Sequence, residues 1–162
     1  MLGIVSDTHD NLAAVRAAVE LLRRRNLTRI VHCGDITSID TLECFKGLPL
    51  SFVFGNMDSD TAALSAKAYE LGFEDIGTEL SFEFKEKTFF VYHGTDRKLL
   101  KQVVDSGRYD YVLTGHTHLA TDKRSGATRL INPGALSSAK QYSFAILDPV
   151  TDSLEFVEVA SG

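Results

Sequence analysis

The sequence predicts an α/β protein, and three observations predict it. Short apolar stretches alternate with helical patterns up to Gly72. From Leu80 the period drops to two, as in a hairpin. Acidic, amide and imidazole side chains gather where the apolar stretches end, several of them beside a glycine, and strand carboxyl ends are where α/β sheets bind ligands.

Taken in order, "LGIVS" opens the chain as a strand. "DNLAAVRAAVELLRRR" follows as an amphipathic helix, with Leu12, Val15, Val19 and Leu22 on one face and Asp10 as the expected N-cap. "RIVHC" is a second strand, and "DTLECFKG" a short helix stopped at Gly47. "LSFVFG" is a third strand, and "DTAALSAKAYELG" a helix closing on Gly72. This β-α-β-α-β run implies a sheet with right-handed crossovers. "LSFEFKEKTFFVYHG" alternates like a hairpin, "DRKLLKQVVDSG" is one more helix and "YDYVLTG" another strand. "ATRLINPG", "YSFAILDP" and "LEFVEV" are expected as short strands that close a second sheet. With no repeat, linker or low-complexity segment, one domain over 1–162 is expected.

Composition narrows the function. A chain of 162 residues buries about 70% of its unfolded surface, and 44% hydrophobic with 24% charged residues is ordinary for a soluble protein. A net charge of -5 offers no general basic field to nucleic acid or to an anionic membrane. Any site that handles phosphate then needs local positive charge, which a bound metal supplies. Cys33 and Cys44 form no C-x-x-C, which fits a reducing compartment and thiols used as small core residues. "MLGIVSD" has no basic n-region, and no run of about 18 apolar residues occurs, so a cytoplasmic, non-membrane protein is expected, monomeric or homo-oligomeric.

The strand ends carry the chemistry. "SDTHDN" delivers Asp7 and His9, "HCGDI" Asp35, "FGNMDS" Asn56, "YHGT" His93, and "GHTH" both His116 and His118. A lone His-x-His is weak: five His in 162 residues give about 0.15 such pairs by chance (5 × 5/162). Five ligand-bearing loops in succession are the stronger signal, and the seven side chains are candidate metal ligands. Glycines 34, 55, 94 and 115 beside them suit sharp loops and close approach of backbone to a ligand. On the same loops Asn11, Met57 and Asp58 are expected to face substrate. His32 is expected behind the ligands or in the core, and Cys33 in the core. Arg97, Lys98 and Lys101 are expected as a solvated face of their helix.

The order D-x-H, GD, GN-x-D, HG, GHTH resembles that of the calcineurin-like metallophosphoesterase superfamily, over nearly the whole chain. With "NPGA" at Asn132 to Ala135, it looks most like the compact bacterial and archaeal phosphodiesterase branch. That resemblance implies a four-layer α-β-β-α sandwich of two packed mixed sheets, with the metal site at strand carboxyl ends. It implies two divalent ions per chain, one on Asp7, His9 and His118, the other on Asn56, His93 and His116, with Asp35 bridging. The implied substrate is a small phosphate ester, hydrolysed by in-line attack of a hydroxide shared by the ions, so no protein nucleophile is required. The donor set suits manganese first, with nickel, iron, cobalt or zinc also suited.

Three positions depart from the family pattern. Thr95 stands where several relatives carry a second histidine, and Asp10 where glycine is common. Met57 stands where many phosphatases of the superfamily place a histidine near the leaving group. The resemblance also implies a rival reading, a non-catalytic metal-binding interaction scaffold like the retromer subunit. All seven expected ligand positions carry competent ligands here, which favours the enzyme.

Overall fold

The computed structural model describes residues 1–160. Its elements run β1 (Leu2–Val5), α1 (Leu12–Arg23), β2 (Arg29–His32), α2 (Ile39–Cys44), β3 (Leu50–Val53), α3 (Thr61–Glu70) and β4 (Ile76–Gly77). Then follow β5 (Glu79–Phe84), β6 (Lys87–Tyr92), α4 (Arg97–Asp105), β7 (Tyr111–Leu113), β8 (Thr121–Ser125), β9 (Thr128–Asn132), β10 (Tyr142–Asp148) and β11 (Ser153–Val159). Both sheets are mixed. The first has the order β11-β10-β1-β2-β3-β4, with β1 to β4 parallel, and the second β5-β6-β7-β9-β8, with β6, β7 and β9 parallel.

Three apolar clusters bind four layers. Val15, Val19 and Leu22 of α1, with Leu42 and Leu64 of α2 and α3, pack on Val5, Ile30, Phe52 and Phe144 of the first sheet. Leu2, Ile4, Val31 and Cys33 meet Phe89, Val91, Leu113 and Ile131 between the sheets. Val104, with Leu100 and Val103 of α4, covers Phe90 and Val112 on the outer face of the second sheet. Strands β1, β3 and β7 are buried throughout, as parallel strands covered on both faces must be. The four-layer sandwich is thus the observed architecture. Among the described residues, no helix is long and apolar enough to cross a membrane.

Three local expectations change. Of the tail strands, only β9 joins the second sheet. β10 pairs antiparallel with β1 and carries β11 with it, so both extend the first sheet. Both faces of β10 are needed there, Phe144 toward the helices and Ala145 toward the second sheet. The N-cap of α1 is Asn11, not Asp10. The Asn11 carboxamide accepts from Ala14 N, whereas Asp10 sits at φ 56° and accepts from Thr41 Oγ1. β4 and β8 had no apolar pattern to announce them, and β8 ("TDKRS") is an exposed edge strand held by its ladder to β9.

Candidate metal centre

The carboxyl ends of β1, β2, β3, β6 and β7 place the five loops at one rim. Backbone bonds lace them together: Asp7 N–H donates to Gly34 O, Thr8 and His9 N–H to Asp35 O, and Gly115 N–H to His93 O. Asp7, His9, Asp35, His116 and His118 all hold left-handed φ, at 52°, 39°, 59°, 67° and 58°. A non-glycine residue held there costs about 1–3 kcal/mol, and such strain gathers at functional sites. Gly34 and Gly94 hold the left-handed φ that sharp loops need, at 103° and 108°, whereas Gly55 and Gly115 have a different use from the one expected. A Cβ at Gly115 would run into Ser6 Oγ and Asp7 Oδ2, and one at Gly55 into Asp35 Oδ1. Their missing side chains are the space the ligand carboxylates occupy.

Four of the donors, Asp7, Asp35, His93 and His118, are aimed by a partner behind them. Asp7 is fully buried, with Oδ2 accepting from Ser6 Oγ at 2.6 Å and from His116 N at 3.0 Å. Its other oxygen, Oδ1, is buried without a hydrogen bond, although His118 Nε2 lies 3.2 Å away and His9 Nε2 3.8 Å. Asp35 Oδ1 accepts from Met57 N at 2.8 Å, leaving Oδ2 between two imidazoles, 3.5 Å from His9 Nε2 and 3.2 Å from His93 Nε2. His93 Nδ1 donates to Cys33 O at 2.8 Å, which turns Nε2 inward toward Asp35 and toward Asn56 Oδ1 at 3.1 Å. His118 Nδ1 is anchored on Ser138 O, and its Nε2 stands 3.3 Å from His9 Nε2.

Two groups of convergent donors result: Asp7, His9 and His118, and Asp7, Asp35 and His93. Asp7 belongs to both, whereas the expectation placed it on one side only. Asn56 joins the second group through His93. His116 stands just outside it, its ring edge-on to His93 with centroids 5.2 Å apart, and its backbone N–H serves Asp7.

Burial opposes charge on both Asp35 and His93, yet their mutual contact prevails. With Met57 N–H helping, Asp35 is held below its ordinary pKa, and His93 is raised above its own. The buried Asp7 Oδ1 decides whether a cation fits. A buried carboxylate oxygen without a donor is costly, and a cation between it and the facing ring nitrogens would satisfy it. The donor set of carboxylates, imidazoles and one amide matches divalent first-row metals.

The expected substrate-facing residues divide. Met57 is 53% exposed on the rim. Asn11 has both ends of its carboxamide in use, capping α1 and donating to Leu136 O at 2.8 Å. Asp58 is buried, accepting from Asp35 N (3.0 Å), Thr37 N (2.7 Å) and Gly55 N (2.7 Å), so it fixes two ligand loops and turns no free oxygen outward. Burial raises its pKa, opposed by those three N–H groups. His32 lies behind the donors. Its Nδ1 accepts from Gly34 N, its Nε2 meets Thr8 Oγ1, and burial, with His93 nearby, lowers its pKa to about 3, so it stays neutral. Sequence reasoning missed Ser6 and Asn132. Asn132 donates to Gly115 O and Thr117 Oγ1, holding the "GHTH" loop; its place in "NPGA" was the only hint.

The family model for the calcineurin-like phosphoesterase superfamily domain matches residues 1–152. The chain belongs to that superfamily. Within it, the chain is similar to phosphodiesterase MJ0936 of Methanocaldococcus jannaschii, 33% identical over 136 residues that cover 82% of each chain. Among solved structures it resembles a novel archaeal phosphodiesterase, with a TM-score of 0.91, 29% identity and 97% and 98% of the two chains covered. A Vps29 variant from Entamoeba histolytica shares the calcineurin-like fold at a TM-score of 0.70 and 17% identity, covering 97% of this chain and 98% of that one. Phosphoesterases of this superfamily use divalent metals, and the two donor groups are this chain's candidates to hold them.

Proposed function

We propose that the chain is a metal-dependent phosphodiesterase that hydrolyses small phosphate esters, for which two divalent ions would activate the attacking water. Asp7, His9 and His118 would hold one ion, and His93, Asn56 and His116 the other, with Asp35 shared. The observation that carries this reading is the buried, donor-free Asp7 Oδ1 where both groups meet. The similarity to archaeal phosphodiesterases supports a diester rather than another substrate.

Divalent ions bound there supply the acidity that makes water nucleophilic near neutral pH and the charge that phosphoryl oxygens require. The protein's own part is to hold the donors in place. Ser6, Met57 N–H, Cys33 O and Ser138 O each fix one end of a donor and leave the other end facing inward. No nucleophilic Ser or Cys is needed. Cys33 is buried, and burial pushes its thiol well up. At the leaving-group side, Met57 has no proton to give.

An activated diester such as bis(p-nitrophenyl) phosphate, assayed across manganese, nickel, cobalt, iron, zinc and magnesium, tests the proposal. Hydrolysis should be abolished by a chelator and restored best by manganese or nickel. Inactivity with every ion would leave the rival scaffold reading, which an exposed apolar face beside His118 makes concrete.

A further inference from the structure

Beside His118 lies the β11 edge of the first sheet. Phe156 on β11 pairs with Ala145 across the ladder, so by register it belongs to the face that looks at the second sheet. It is nevertheless 38% exposed, on the edge strand of the first sheet. Leu119, on the segment entering β8, is 66% exposed. Between them lies a cavity of about 260 Å³, lined by His118, Leu119, Lys140, Gln141, Ser143 and Phe156, with Glu158 also on its wall.

We propose that this cavity is a substrate subsite that receives the ester group remaining on phosphorus, an aryl or other flat apolar substituent of a phosphodiester. The inference rests on the phosphodiesterase reading and deepens it. Continuity comes first: His118 is both a candidate ligand and a wall of the cavity, so a phosphate at the donor cluster sits at its mouth. Direction comes second. Water attacking phosphorus from the side of the cluster expels the leaving oxygen on the far side, so a cavity lying beside a ligand is lateral and meets the retained group. Size comes third. The cavity falls just under the roughly 300–1,000 Å³ of ordinary small-molecule sites, which leaves room for one ring system and not for a polymer. Charge comes last: Lys140 and Glu158 both line the cavity without an ion pair among the described residues, so the wall carries no net charge and suits an uncharged ring beside the phosphate.

The test keeps the leaving group fixed. Wild type, Phe156→Ala and Leu119→Ser are compared on p-nitrophenyl phenyl phosphate and p-nitrophenyl methyl phosphate, both of which release p-nitrophenolate. In wild type the phenyl ester should be preferred in kcat/KM, and each substitution should cut that preference about tenfold. The manganese-loaded protein is titrated in parallel with diphenyl and dimethyl phosphate, and the ratio of their affinities should fall in the same proportion. A phenyl-to-methyl ratio unchanged by either substitution, in turnover and in binding, overturns the subsite while leaving the phosphodiesterase intact. Absence of turnover on both esters removes the phosphodiesterase, and the titration still decides whether the cavity recognises an aryl phosphate. A sedimentation experiment in which wild type self-associates and Phe156→Ala does not, with the ratios unmoved, assigns the face to contacts between copies and overturns the proposal.

Discussion

At the scale of single residues, Asp35 and Met57 mark the two ends of the chemistry. Asp35 reaches His9 and His93 with one oxygen while the Met57 N–H holds the other. Asp35→Asn should lower turnover about a hundredfold or more at saturating manganese, and the chelator-treated variant should melt lower than wild type at pH 7, because the fold holds the Asp35 carboxylate ionised beside His93. Turnover at the wild-type level would show that Asp35 is not the shared ligand. Met57 offers a thioether where a proton donor would help a departing oxygen. General acid help is worth about 10²–10⁴ in rate and matters most for poor leaving groups. A series of aryl esters of rising leaving-group pKa should therefore give a steep fall in rate, flattened in Met57→His. A flat wild-type series with chemistry limiting would locate a proton donor elsewhere.

At the scale of elements, the loops after the strands were legible and their inner wiring was not. Asp7, His9, Asp35, Asn56, His93, His116 and His118 stand out because strand periodicity ends where each loop begins, and all but Asp7 and His9 have a glycine nearby. The sequence could not tell that Asp58, four residues past Phe54, turns back to bind Asp35 N, Thr37 N and Gly55 N, since that contact joins two loops far apart in the chain. Nor could it place β10. An apolar strand late in the chain fits either sheet until its partner is known, and pairing with β1 is a long-range choice. Asp58→Ala leaves three N–H groups of two ligand loops without an acceptor, at about 1–3 kcal/mol for each left buried. Urea unfolding of the metal-free variant should show a loss of about 3 kcal/mol or more. A loss below about 1 kcal/mol would mean that water replaces the carboxylate without strain.

At the scale of the whole molecule, the metal end and the opposite end hold the sheets together by different means. The turn between β10 and β11 lies at the amino end of β1, and Asp152 on it accepts from Tyr111 Oη (2.7 Å) and Arg129 Nη1 (2.6 Å) of the second sheet and pairs with Arg124. Burial raises the Asp152 carboxyl, but those hydrogen bonds outweigh it and bring its pKa to about 2. A depressed folded pKa contributes stability that is full above the unfolded value near 4 and fades as pH falls toward 2. Asp152→Asn should therefore melt lower than wild type at pH 7 and lose less of its melting temperature between pH 4 and pH 2. Parallel acid profiles for the two proteins would show that the turn does not tie the sheets.

The other end, on the proposed reading, would be held by an ion that the protein's own atoms invite: a buried carboxylate oxygen with no donor, flanked by imidazoles and strained into place. Chelator-stripped protein titrated with manganese by calorimetry, with bound metal counted by elemental analysis after dialysis, reads this directly. The account predicts about two ions per chain in the wild type and fewer in Asp35→Asn; wild-type protein that holds no metal above background would contradict it.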